Sequence, residues 1–489
     1  MRRPFSIVCL VLLALPLTLP LALGGCMVGP DYKAPEIAMP EGWRELESAQ
    51  GESLANMPWW ELYPDPVLHE LIKSALDQNR DLKIAVERIE EARALYGFTR
   101  ADLWPKVDVG AGARRERGSE ETTPATGSDL ERNVFTVGAG LTWELDLFGR
   151  IQRATEAQQA ILFGTQHARA AIVLSLVAEV ARAYVELRDL DRRLDISNST
   201  VQSRREYLEL VRVRYEGGLT SELDFRQAES ELHRTTSRVY DFERLVAQKE
   251  NELNLLLGRN PGPVPRGTAV SELPLPPAIP TGLPAALLQR RPDLAAAEQD
   301  LVAANARIGE AKALLYPTIS LTGFFGFEST ELGDLASAPA RSWSLGANLL
   351  QPIFNSGQLQ NRVEVAESQQ RQILSAYEQA ILRALREVED SLVGYRKSGD
   401  LRGSELLRVE AQRKVLALAE IRYRGDVAPY LDVLDAQRQL LDAELSEAAA
   451  IRDQYVGLIS LYRALGGGWP ADLPATAEPA PVAEAAPGG

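Results

Sequence analysis

A chain of 489 residues, 45% hydrophobic and 25% charged, can bury a large core, and its formal charge of -15 argues against a general nucleic-acid role. Its two cysteines, Cys9 and Cys26, give no disulfide framework or thiolate metal site once Cys9 is lost with the leader described next. His69, His167 and His233 fall on three different predicted helices without an HExxH pattern, so no metal centre is expected.

Residues 1–25 read as an export signal: Arg2 and Arg3, then an apolar run from Ile7 to Leu23 broken by Pro16 and Pro20. The run ends in Leu23-Gly24-Gly25-Cys26, which resembles a bacterial lipoprotein box. Cys26 would then be the first mature residue and carry a diacylglycerol and an N-acyl group. An ordinary signal peptide with a chance cysteine is the plainer alternative. Loss of Arg2 and Arg3 takes Lys+Arg from 53 to 51 against 68 Asp+Glu, a formal charge of -17. No later apolar run is long enough for a membrane helix, so any further crossing falls to strands.

The remainder is written twice. DQNRDLKIA (77–85) aligns with QRRPDLAAA (289–297), and ADLWPKV (101–107) with ALLYPTI (313–319), both 212 residues apart. FTVGAGLTWELDLFG (135–149) aligns with WSLGANLLQPIFNSG (343–357) at 208, which places a four-residue length difference in a loop between 107 and 137. Each repeat, 26–257 and 285–469, has one plan: a shorter helix, two strands, a very long helix, a glycine-marked turn and another long helix. Residues 258–284 contain eight prolines, which cannot donate ladder or helix hydrogen bonds, and read as an extended linker. Residues 470–489, rich in Ala, Pro and Glu, read as a disordered tail.

From Phe135 to Leu147 apolar residues (Phe135, Val137, Ala139, Leu141, Trp143) alternate with small or polar ones (Thr136, Gly138, Gly140, Thr142, Glu144). Val107–Ala113, Ile319–Phe327 and Trp343–Leu349 repeat the pattern. A soluble sandwich has the same period, but the small, polar second face fits a water-filled lumen, with Trp143 and Trp343 as interfacial anchors. Four strands cannot close on themselves, and an open edge in hydrocarbon leaves backbone groups unpaired at several kcal/mol each. Strands that span a membrane here must therefore share a barrel with other copies of the chain.

Between Arg150 and Tyr215 no proline occurs, and apolar residues at 187, 190, 194, 201, 208, 211 and 215 keep a three-four spacing suited to coiled-coil packing. A solid bundle or rod would show the same stripe. The many Ala, Ser and Thr in it and the broad polar surface suit a wall one helix thick, wet on both sides.

The turns RYEGGLTSELDFRQAE and RYRGDVAPYLDVLDAQ share a skeleton: Arg214, Tyr215, Gly217, Asp224 and Ala228 match Arg422, Tyr423, Gly425, Asp432 and Ala436. The second copy has two acids three residues apart, Asp432 and Asp435, where the first has Asp224 and Gln227. An acid/base pair, a metal clamp or a site assembled from several chains would each use such a pair, and a helix N-terminus favours acids through its dipole alone. Gly217, Gly218 and Gly425 end helices under every reading. No GxSxG elbow, phosphate loop or catalytic constellation occurs, so no enzyme is expected. GAGARRERG (110–118) fits a lumen-facing strand running into a loop.

VGPDYKAP after Cys26, PWWELYPDPVLHELI (58–72), WELDLFGR (143–150), RRPDL (290–294) and YLDVLDAQRQL (430–440) together resemble the TolC-like outer-membrane factors, in their OprM/NodT-like lipoprotein branch, over nearly the whole mature chain. The resemblance implies an α+β membrane protein, an internally duplicated protomer of a trimeric 12-stranded β-barrel continued by a long periplasmic α-helical barrel. It implies a homotrimer lipid-anchored in the outer membrane, the side to which Met27 after the cysteine points. The partners implied are a periplasmic adaptor (membrane fusion protein) and an inner-membrane RND-type pump. The function implied is passive export of small molecules, with no cofactor beyond the Cys26 lipid. A type I protein-secretion channel would share nearly every feature; a periplasmic coiled-coil scaffold would lack the barrel. On the family's pattern Asp432 and Asp435 form a periplasmic gate with Arg422 and Tyr423, six carboxylates per trimer that favour cations. Gly217, Gly218 and Gly425 mark helix tips that contact the adaptor. Ala428 stands where the family often has a basic residue, so one usual latch contact is missing.

Overall fold

The computed structural model describes residues 27–44, 64–119, 130–272 and 284–467. The expected signal peptide, Cys26 with its expected lipid, residues 58–63 (PWWELY) and the expected tail lie outside these residues. The main elements are α1 (Pro66–Gln78), α2 (Arg80–Ala101), β1 (Lys106–Arg117), β2 (Glu131–Leu145), α3 (Arg150–Glu216), α4 (Glu222–Leu256), α5 (Leu287–Arg290), α6 (Pro292–Ala313), β3 (Thr318–Ser329), β4 (Arg341–Leu350), α7 (Gln358–Arg424) and α8 (Tyr430–Ala464).

The halves match element for element. α3 and α7 have 67 residues each, α4 and α8 have 35, and each pair is 208 residues apart. The left-handed backbone positions repeat as well: Gly149, Gly218 and Gly258 correspond to Gly357, Asp426 and Gly466. At the last pair no side chain fits, since a Cβ on Gly258 would stand 2.5 Å from the Gln78 carbonyl oxygen and one on Gly466 2.9 Å from that of Arg290. Beside these corners Asn79 donates to the Leu256 carbonyl (2.9 Å) and Arg291 to the Ala464 carbonyl (3.2 Å), the last residues of α4 and α8. The RRPDL element thus ties the end of a long hairpin to the start of a shorter helix.

Two compact units divide the chain, and each draws on both halves. The first comprises the N-terminal segment through Glu36, Arg88–Gln166 and Ala296–Glu378; the second comprises Ile37–Glu87, His167–Ala295 and the residues from Gln379 on. In the first unit a four-stranded antiparallel sheet has the order β1-β2-β3-β4, so the second strand of one half pairs with the first strand of the other. The apolar face lies open, with Val109 and Leu345 81% exposed. β2 starts at Glu131 rather than Phe135 because ion pairs of Arg115 with Glu131 (2.8 Å) and of Arg132 with Glu116 (2.5 Å) carry the ladder outward. It ends at Leu145, two residues before the expected Leu147.

The ladder is staggered. Lys106, Thr142, Thr322 and Gly346 lie in one row, and β4 runs four residues beyond it, to Leu350. Ala111, Val137, Phe327 and Arg341 lie in another, and β1 runs six residues beyond it, to Arg117. Four and six residues across three interstrand spacings are about 13 and 20 Å against about 14 Å, strand tilts of about 43° and 55°, the first within the range of closed membrane barrels and the second above it.

In the second unit the helices are not wet on both sides throughout. Val180, Ala181, Tyr184, Val185 and Leu187 of α3 are all at most 1% exposed. α1 and the chain near Gly267 supply the additional cover: buried Asp65 caps α1 through the Val67 N–H (2.8 Å) and accepts from the Tyr184 hydroxyl (3.0 Å) and the Thr268 N–H (3.1 Å). The expected thin wall is therefore thickened at this level by the segments that flank the long helices.

Candidate functional site

The hairpins α3–α4 and α7–α8 end in turns at 217–221 and 425–429. Near these turns Tyr207, Val211, Ala228, Tyr423, Tyr430, Val433 and Leu434 form one buried cluster. The Tyr423 and Tyr430 rings lie 5.6 Å apart at 58°, and burial pushes the Tyr430 hydroxyl up to about 12. The Arg214 guanidinium sits 5.0 Å above the Tyr423 ring and pairs with Asp426 of the other turn. Asp426 occupies the left-handed position (φ 56°) that Gly218 fills in the first turn (φ 70°). An acidic residue at this corner thus bridges the two hairpins, where glycine only permits the turn.

The four expected gate residues divide between two environments. Arg422, Asp432 and Asp435 are exposed and line one groove of about 820 Å³ between α7 and α8, together with Gln412 and Gln439. Tyr423 is buried in the cluster between the hairpins. Consecutive helical residues point about 100° apart, so neighbours in sequence face different surroundings. Gly217 and Gly425 close the helices with N–H bonds of 3.0 Å to Val213 and Ile421, while Leu219 and Val427 stand 71% and 67% exposed beside them.

The equivalent acids Asp224 and Asp432 do different work. In the first turn Ser221 and Asp224 make a capping box, and the Thr220 hydroxyl donates to Asp224 at 2.6 Å. The second turn has Ala428 and Pro429 at those two places, so α8 has no side-chain cap. Replacement of both hydroxyls leaves the Asp432 carboxylate in the groove with no partner from its own turn. The Ser221-x-x-Asp224 cap was visible in the sequence as a pattern; its loss in the second copy is the informative half.

Above the cluster lies a polar network in which Gln437 and Arg438 of the YLDVLDAQRQL stretch meet Arg204, Glu231 and Arg234. Glu231 accepts from Arg438 at 2.9 and 2.7 Å and lies 3.6 Å from both Arg204 and Arg234. Arg204, only 2% exposed, donates to Gln437 at 2.6 Å. Burial pulls the Arg204 guanidinium down, and the charge of Glu231 offsets this only in part. Burial pushes the Glu231 carboxyl up, but the Arg438 hydrogen bond and the charges of Arg204, Arg438 and Arg234 outweigh it and hold that group below the usual carboxylate range.

The family model described as outer membrane efflux protein matches residues 71–259 and 283–467. Outer membrane protein OprJ of Pseudomonas aeruginosa is 35% identical over 486 residues, 96% of this chain and 97% of its own length. The toluene efflux pump outer membrane protein TtgI of Pseudomonas putida is 35% identical over 463 residues, 93% of this chain and 98% of its own. Among solved structures, the open state of the MtrE outer membrane channel of Neisseria gonorrhoeae has a TM-score of 0.82 at 31% identity, covering 91% of this chain and 98% of that one. With the duplicated hairpins, the four-stranded sheet and near full-length similarity, this chain belongs to the outer membrane efflux protein family.

Proposed function

We propose that three copies of the chain build one outer-membrane conduit, twelve strands forming a closed barrel and twelve helices a periplasmic tunnel, through which small molecules leave passively. The observation that carries this reading is the sheet itself: β1 and β4 are both edges, the apolar face is open, and the stagger at the Leu350 end has the tilt of a barrel. Closure with neighbouring copies pairs those edges and removes the unsatisfied backbone groups. A periplasmic adaptor and an inner-membrane RND-type pump deliver the cargo, and the exposed Leu219 and Val427 near Gly217, Gly218 and Gly425 offer the adaptor an apolar footing.

Lipid on Cys26 adds an anchor. In support, the residues after it are strapped beside the end of β2: the Val28 N–H donates to the Phe148 carbonyl at 3.2 Å, and Arg153 holds Asp31 at 2.7 Å and the Val28 carbonyl at 3.3 Å. Asp432 and Asp435 act as the gate: a trimer sets six carboxylates around the narrow end, drawing cations and repelling anions. Purified protein should run as a heat-modifiable trimer and open cation-preferring channels in planar bilayers, with the preference reduced in an Asp432→Ala, Asp435→Ala double variant. A stable monomer without conductance would sink the conduit; unchanged selectivity in the double variant would sink the gate.

A further inference from the structure

We propose that a cavity of about 420 Å³ between the two hairpins binds an organic anion, a carboxylate carried on a compact apolar body. The cavity lies within one chain and needs no second copy, so the inference stands apart from the trimeric conduit. Its lining comes from α3, α7 and α8, and the ligand would therefore touch both hairpins at once. Ile196, Leu416, Leu440 and Leu441 supply apolar surface. Arg192, Arg204 and Gln437 supply N–H donors.

Those donors lack acceptors. Arg204 is 2% exposed and Gln437 6%. Arg204 gives its Nη1 to the Gln437 Oε1 at 2.6 Å, while its Nε and Nη2 have no hydrogen-bond partner among the described residues. Nε and Nη2 form one edge of the guanidinium, which can meet two oxygens of a carboxylate through parallel bonds. A guanidinium only donates, so Gln437 turns its oxygen to Arg204, and its Nε2 is left without a hydrogen-bond partner as well. Arg192 holds Glu447 through Nη2 at 3.0 Å, and its Nε is in the same position.

The carboxylates around the cavity are engaged or wet. Glu231 stands 3.6 Å from Arg204, beyond hydrogen-bond reach, and is shared with Arg234 and with Arg438, which donates to it twice. Glu444 pairs with Arg413 at 2.9 Å, and Asp195 is solvent-exposed. Burial pulls the Arg204 guanidinium down and the charges of Arg438 and Arg234 act in the same direction, so an added anion beside it acts the other way. A carboxylate has several acceptor sites and no proton to place, which suits a set made of donors. Acetate would meet the donors but leave the apolar surface wet, whereas a pocket of this size ordinarily encloses an apolar body fixed by a few polar contacts.

The test is equilibrium dialysis of detergent-purified, full-length protein against protein-free micelles of the same detergent, with naphthoate, naphthalenemethanol and acetate as probes. Naphthoate should bind once per chain, and the alcohol and acetate at least about tenfold more weakly. Arg204→Lys keeps the charge, removes the Nε–Nη2 edge and should weaken naphthoate about tenfold. Ser203→Trp, at an exposed lining position, should block the cavity with every donor kept, and carries the test by itself where Arg204→Lys does not fold. Arg205→Gln removes an exposed charge that does not line the cavity and should bind as wild type does. Bound naphthoate should also slow hydrogen exchange near Arg204 in α3 and Gln437 in α8. No binding by wild type, or wild-type binding by folded Arg204→Lys or by Ser203→Trp, overturns the site, as does unchanged exchange in both segments. A loss in Arg205→Gln as large as in Arg204→Lys overturns it too. Equal binding of the alcohol overturns the anion, and equal binding of acetate overturns the apolar body.

Discussion

Replacing Glu231 by glutamine keeps its volume and removes the one carboxylate shared by three arginines. Two hydrogen bonds from Arg438, at 2.9 and 2.7 Å, lose their ionic character, and Arg204, 2% exposed, loses its counter-charge at 3.6 Å. Breaking a fully buried pair from one side costs about 3–5 kcal/mol. Arg438 and Arg234, with 39% and 52% of their side chains exposed, turn to water instead, and Gln437 still accepts from Arg204. The net loss works out at about 2–3 kcal/mol per chain. Hydrogen exchange is the suitable assay, since local opening is read without unfolding the protein irreversibly; amides near Arg204 in α3 and Gln437 in α8 should exchange about 30- to 150-fold faster. The carboxyl of Glu231 is held below its usual value, so its stabilisation is complete above the unfolded value, about 4.3, and is lost as pH falls through the lower folded value. The glutamine variant should lack that acid-side loss. A Glu231→Leu, Arg204→Met pair, with both charges gone, should recover most of the protection. Exchange within about threefold of wild type in Glu231→Gln would refute the reasoning, as would a double variant no better than the single one.

Restoring the hydroxyls in the second turn, Ala428→Thr with Pro429→Ser, should recreate the capping box on Asp432, protect the first turn of α8 by about 1 kcal/mol in hydrogen exchange, and lower cation preference in bilayers. Asp426→Asn keeps a residue that tolerates the left-handed corner but removes the charge facing Arg214; with Asp426 72% exposed, stability should move by less than about 1 kcal/mol while resting conductance rises. Gly29→Ala should release the strap, because φ is 102° and a Cβ would stand 2.4 Å from the Cα of Gly309; protease cleavage between residues 27 and 36 in the folded protein should rise, reflecting a loss on the order of 2 kcal/mol.

What could be read in the sequence was whatever repeats. The strand alternation, the offset of 208 and the proline-free helices all depend on periodicity, and the ladder and equal helix lengths follow them. Direction around a helix was harder: Arg422 and Tyr423 are adjacent in sequence, yet one lines the wet groove and the other joins the buried cluster. Partners distant in sequence left no trace at all. Arg153 contacts Asp31 across 122 residues, and Arg204 contacts Gln437 across 233, so neither arginine looks unlike its many neighbours until the fold is closed. The thickened level around Tyr184 escaped for the same reason, since its cover comes from α1 and from the proline-rich stretch that read as a plain linker.

Interleaving of the halves has a consequence for biogenesis. The β2–β3 pairing means that the hairpin made first, β1–β2, stays half-zipped until β3 has been made, after the α3–α4 hairpin and α6. Until then the ribbon keeps its apolar side uncovered. A truncation before β3 would leave an orphan hairpin with an unpaired edge on β2, prone to pair with other chains.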